Sequence, residues 1–168
     1  AGADAASADF GVAVSEATAA NDDERAALVD EFAATGSGLT IGVGFTFADA
    51  IETTAAKRPE TRFAIIDSLL PMDNVTSVVF AEEQGSFLVG AAAALKSESG
   101  VVGFIGGVSI DLIKKFEAGF IAGARAVNPD IEILSQYLTE PPNFDGFNDP
   151  AAGKVVGQSM YEQGADVV

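Results

Sequence analysis

Strand-like apolar runs alternate with segments of helical period almost from end to end, and that order narrows the fold class more than any other feature. Residues 1–10 read as the tail of a helix stopped by Gly11, and Val12 to Ala17 as a strand. Asn21, Asp22 and Asp23 offer N-caps for a helix near 24–35, with Ala27, Leu28 and Phe32 on one face and Gly36 at its end. Leu39 to Val43 is a short apolar run, the pattern of a strand buried on both faces. A helix over 48–57 closed by Pro59 follows, then strands at Arg62 to Ile66 and Val75 to Phe80, then a helix from Glu82 to Lys96. The remainder reads as a strand at Val101 to Ile105, a helix from Ser109 to Val127 and a strand at Ile131 to Tyr137. A loop rich in Pro, Asn and Asp covers 139–150, a helix runs from Pro150 to Gln163, and a strand begins at Asp166. This mostly β-α-β-α order predicts an α/β protein with mainly parallel sheets and helices on both faces. A change of texture at Ser97–Gly100 predicts two lobes, 1–99 and the beginning of a second at 100–168. Opening inside a helix and closing as a strand starts, the sequence reads as a piece of a longer protein.

Composition excludes several kinds of chemistry. There is no Cys and no His, so a disulfide framework, a zinc finger and the Cys–His and Ser–His–Asp catalytic arrangements are all absent. The net charge of −16 repels phosphate backbones, which argues against nucleic acid as a partner. No apolar run approaches the roughly 20 residues of a membrane-spanning helix. The acidic excess does not signal disorder, because 12 Phe and many Ile, Leu and Val remain to build a core. A carboxylate-rich surface with only five Lys suits work at high salt, and it also fits an ordinary acidic soluble protein.

In open α/β sheets ligands bind beyond the carboxyl ends of the strands. Those positions hold Gly44 and Phe45, then Asp67 and Ser68, then Gly106 and Gly107, then the loop from Phe144 to Asp149. Asp67 follows Phe-Ala-Ile-Ile directly, so its carboxylate sits at the rim of a buried strand and needs donors. A ligand hydroxyl or base N–H would supply them, and so would a turn amide. Gly42-x-Gly44 lacks the third glycine of a dinucleotide fingerprint, and no P-loop is present. Phe45, Phe47, Phe144 and Phe147 fall in loops, where aromatic rings stack on planar ligands or plug the core edge. Asp145, Asn148 and Asp149 lack the oxygen spacing of a calcium loop and read better as a solvated turn with an N-cap before Pro150. Glu82 and Glu83 read as helix capping, and Lys114 and Lys115 as a solvated face paired with Asp111. No catalytic residue, metal ligand or cofactor is predicted.

Several stretches carry a resemblance. Phe80-Ala-Glu-Glu-Gln-Gly-Ser-Phe-Leu-Val-Gly90, Val102-Gly-Phe-Ile-Gly-Gly107 and Ile113-Lys-Lys-Phe-Glu-Ala-Gly-Phe-Ile-Ala-Gly123 resemble the basic membrane protein family. Ile41-Gly-Val-Gly-Phe45, Phe63-Ala-Ile-Ile-Asp67, Asn128-Pro129-Asp130, Asp149-Pro-Ala-Ala-Gly-Lys154 and Gly164-Ala-Asp-Val-Val168 extend the likeness over nearly the whole chain, in order. These are substrate-binding lipoproteins of ABC importers, similar to the purine nucleoside receptor. The resemblance implies a type I periplasmic-binding-protein fold, in which two doubly wound parallel-sheet lobes, both incomplete here, close on a ligand. It implies a nucleoside ligand, ABC permease subunits as partners, and an extracytoplasmic location with a lipid anchor outside this segment. Carried over, Asp67 becomes a ligand carboxylate, Phe147 the aromatic of the second lobe with Phe144 as its rival, and Gly44, Phe45, Ser68 and Gly107 cleft neighbours.

The family's opening strand and the later part of its second lobe are not matched. An enzyme on a related scaffold would need a base, a metal cluster or a complete phosphate fingerprint, and a ligand-sensing regulator would need a DNA-binding domain. Neither is visible in these residues. The segment alone is therefore predicted to bind its solute at least about tenfold more weakly than the intact protein, about 1.4 kcal/mol, in a side-by-side titration. Equal affinities would contradict this.

Overall fold

A computed structural model describes residues 2–168; the first residue of the predicted opening helix lies outside the described residues. The chain divides after Phe80 into two compact units.

The first unit contains helix α1 (Gly2–Phe10), helix α2 (Asp22–Ala34), strand β1 (Thr40–Val43), helix α3 (Ala48–Lys57), and strands β2 (Phe63–Ile66) and β3 (Val75–Val78). Asn21 caps α2 by accepting from the Glu24 amide at 2.9 Å, while the Glu24 carboxylate accepts from the Ala20 amide at 2.8 Å. The three strands pair in parallel in the order β1-β2-β3, with Thr40 opposite Phe63 and Val43 opposite Ile66. Val29 and Ala33 of α2 and Ile51 and Ala55 of α3 close over Phe63 and Ile65 of the central strand to form the core. Asn74 fastens the far end, its side-chain amide donating to the carbonyls of Ala55, Arg58 and Thr61 at 3.1 Å each.

Two expectations fail in this unit. Val12 to Ala17 form no strand; the segment is exposed, and among the described residues no strand edge pairs with it. An alternating pattern becomes a strand only where a partner satisfies its amides. Leu39 to Val43 is buried on one face only: Thr40 and Gly42 point inward, whereas Ile41 and Val43 are exposed.

The second unit contains helix α4 (Glu82–Lys96), strand β4 (Val101–Val108), helix α5 (Asp111–Val127), strand β5 (Glu132–Thr139) and helix α6 (Pro150–Glu162). Strands β4 and β5 pair in parallel, and Val167 makes an isolated parallel bridge to Val102, so the strand expected after Asp166 starts as predicted. Strand β4 extends three residues beyond the predicted Ile105.

Helices α4 and α5 touch backbone to backbone. A methyl carbon on Gly119 would stand 2.2 Å from the Glu83 carbonyl oxygen, and one on Gly123 would stand 1.9 Å from that of Phe87. The Ser86 hydroxyl donates to the Phe116 carbonyl across the same seam at 2.5 Å, and Lys115 pairs with the buried Glu82 at 3.4 Å. This close packing gives α4 to the second unit. The texture change at Ser97–Gly100 therefore lies inside that unit, in the connection between α4 and β4, and the compact units divide some 17 residues earlier. The expected Asp111 pairing is made by Lys114, at 3.8 Å, while Lys115 turns to α4.

Asp166 anchors the connection between α4 and β4. Its carboxylate accepts from the Ser97 hydroxyl and the Glu98 amide at 2.6 Å and from the Ser99 amide at 2.8 Å. These donors, the Ser97 hydroxyl foremost, hold its pKa down to about 2 from an ordinary 3.8.

Two predictions follow from this packing. Gly123→Ala should destabilise the second unit by about 1–3 kcal/mol in a denaturant melt, because backbone cannot retreat from the added carbon. Gly85→Ala, in the same helix pair but with open space at its Cα, should stabilise it by about 0.5–1 kcal/mol. A depressed carboxyl stabilises the fold above its unfolded pKa and loses that contribution as pH falls through the folded one. Asp166→Asn should therefore melt below the parent protein near neutral pH, with the gap closing below about pH 4. A gap constant down to the acid limit would contradict this.

Candidate functional site

Strand register assembles the first group of predicted residues. Val43 lies opposite Ile66, so Gly44 and Asp67 follow side by side at the carboxyl edge of the first sheet. Each amide donates back to the neighbouring strand: Gly44 to the Ile66 carbonyl at 3.2 Å, Asp67 to the Val78 carbonyl at 2.9 Å. Both residues then turn with positive φ, 106° at Gly44 and 66° at Asp67. Gly44 takes this conformation freely and opens the 3-10 turn Phe45–Phe47, which carries the chain over the strand ends into α3. Asp67 is the one non-glycine residue with positive φ among the described residues. For a residue with a Cβ that conformation is sparsely populated, and such strain collects at functional positions.

The Asp67 side chain is half-buried and makes no hydrogen bond or ion pair among the described residues. The turn-capping alternative would have required its carboxylate to accept from a nearby amide. Ser68 and Phe45 are half-buried beside it in the same edge. Next along the chain, Ser77 holds the following loop by accepting from the Leu70 amide at 2.9 Å.

The second group forms at the carboxyl end of β4. Gly106 and Gly107 present opposite faces, and an aromatic ring covers each. A Cβ on Gly106 would meet the Tyr137 ring at 2.5 Å, and one on Gly107 would meet the Phe147 ring at 2.8 Å. The 3-10 turn Asp145–Asn148 can lie this close because Gly146 rests against the Gly107 carbonyl, where a Cβ would stand 2.0 Å away. Thr139 secures the loop by donating to the Asn143 carbonyl at 2.8 Å. Phe144 and Phe147 are 43% and 45% exposed. Asp149 caps α6 as expected, accepting from the Ala152 amide at 2.9 Å, and no group able to hold a metal ion occurs among the described residues.

On the opposite face, Tyr137 packs edge-on against Phe104 and donates to Glu117 of α5 at 2.5 Å. Burial, with the Glu117 carboxylate next in importance, pushes its phenol pKa up, so the ring stays neutral and fixed. Ser135 donates to the same carboxylate. Sequence reading passed over Tyr137, Gly146 and Thr139, because no period or motif marks a ring that replaces a missing side chain on another strand.

The structure thus brings Gly44, Phe45, Asp67 and Ser68 together in one unit, and Gly107, Phe144 and Phe147 in the other. None of them lines the apolar groove of about 610 Å³ in the second unit between Val89, Phe104, Phe116 and Phe120.

Residues 2–168 match the Bmp family, described as ABC transporter substrate-binding protein PnrA-like. A Lactococcus lactis protein named ABC transporter nucleoside-binding protein BmpA is 40% identical over 131 residues, 77% of this chain and 36% of that protein. Basic membrane protein B of Borreliella afzelii is 38% identical over 145 residues, 83% of this chain and 41% of its own length. Among solved structures, an ABC transporter system solute-binding protein from Aeropyrum pernix superposes with a TM-score of 0.77 at 28% identity, covering 98% of this chain and 47% of that one. The chain spans less than half the length of each of these relatives. With its parallel α/β units and a match over all described residues, the chain belongs to the Bmp family of PnrA-like ABC transporter substrate-binding proteins.

Proposed function

We propose that the chain is part of an extracytoplasmic solute-binding protein of an ABC importer, and that its solute is a nucleoside. Asp67 is the observation that carries this reading. A half-buried carboxylate with no partner among the described residues, on a strained backbone at a strand's carboxyl edge, is suited to accept from a ligand hydroxyl or a base N–H. Phe45, and Phe147 or its neighbour Phe144, are loop aromatics of the kind that stack on a planar base. Gly44 and Gly107 let the ligand approach the backbone, and Ser68 adds a hydroxyl. The name of the Lactococcus lactis relative supports a nucleoside as the solute class.

The protein binds and releases its solute without transforming it. Its partners are the permease subunits that receive the solute, and a lipid anchor outside this segment holds it at the membrane. Ligand binding would favour one conformational state of the protein, and that state is what the permease reads.

Titration of the intact protein with purine nucleosides tests this reading. Asp67→Asn keeps the shape and tolerates positive φ, so it should leave the unliganded melting temperature nearly unchanged while weakening binding by about tenfold or more. Phe147→Ala should weaken binding by a similar factor and Phe144→Ala by less; the reverse order would give the aromatic role to Phe144. Undiminished affinity in Asp67→Asn would overturn the assignment.

A further inference from the structure

Helix α2 carries more negative charge than any other helix among the described residues. It carries Asp22, Asp23, Glu24, Asp30 and Glu31 against the single base Arg25, a net charge of −4 in 13 residues. The residues through Phe80 hold 13 carboxylates and four bases, so α2 docks onto a unit that is itself strongly negative. Its last turn has Glu31 and no base, although the carbonyl end of a helix favours cations. Only Val29 and Ala33 are buried, so little apolar area opposes the repulsion. By contrast α5, with three bases and two acids, is nearly neutral and buries Phe120, Gly119, Gly123 and Ala124.

What α2 supports is the turn at the first strand edge. The Arg25 guanidinium lies 6.0 Å from the centre of the Phe47 ring, in the Phe45–Phe47 turn. A second tether, Arg58 to Asp30 at 2.9 Å, ties α2 to the end of α3. The Arg58–Asp30 pair is solvent-exposed and Arg25 brings one charge, so neither contact balances a like-charge field that acts over about 10 Å at 0.1 M salt but only about 3 Å at 1 M.

We propose that α2 is a salt-conditional support for the Gly44–Phe47 turn: it is firmly docked in molar salt and opens locally in dilute buffer. Order at one side of the site is thereby tied to the ionic strength outside the cell, whatever solute the protein carries.

Amide hydrogen exchange of the full chain in 0.1 M and 2 M KCl tests this, with α5 as the internal control. Protection over residues 22–34 should rise with salt at least about tenfold more than protection over α5. A general salting-out effect would act at least equally on α5, which buries more apolar surface. Glu31→Lys changes an exposed residue, halves the net charge of α2 and places a cation at its carbonyl end, so it should raise protection at 0.1 M and narrow the salt gap by about threefold or more. Equal salt response in the two helices would overturn the proposal. So would a large α2 response that Glu31→Lys leaves intact.

Discussion

Parallel pairing is the constraint from which the rest follows. Within each unit it sends every strand in the same direction, so the carboxyl ends collect on one edge and the connecting helices must return along the faces. Backbone amides released at those ends can turn back to a neighbouring strand, as Gly44 and Asp67 do, which leaves their side positions open. A carboxylate on that edge needs no dedicated scaffold beyond the register that puts Val43 opposite Ile66. The same logic holds at β4, where consecutive glycines let one ring approach from each face.

Much of this was legible in the sequence. Helix α4 has the limits its pattern predicts, and α3, α5 and α6 agree within two residues, because Pro59, Asn128-Pro129 and Asp149-Pro150 punctuate them. Asp67 was recognisable from its place after a buried apolar strand. What the sequence hid depends on partners. Val12 to Ala17 has a strand's alternation but pairs with nothing among the described residues. Ile41 and Val43 look like core residues yet are exposed, since apolar runs report preference and not what covers them. The unit boundary was hidden in the same way: the Gly119 and Gly123 contacts that bind α4 to α5 are visible only once the two helices are side by side.

The two edges differ in their chemistry. The first contributes a charge and a hydroxyl on a strained, tightly tied backbone. The second contributes apolar rings whose positions are set by glycines and by the Tyr137–Glu117 hydrogen bond behind them. Polar groups that fix orientation and rings that supply contact area are the two ingredients of a small-molecule site. A net charge of −16 adds a third influence, since it disfavours anionic solutes.

The most direct test is a backbone chemical-shift map of the intact protein, titrated with a purine nucleoside in molar KCl. The account predicts saturable shifts at Gly44, Asp67 and Ser68 and, with the same midpoint, at Gly107 and Phe147. Shifts confined to the Phe104–Phe116 groove, or to one unit alone, would contradict it.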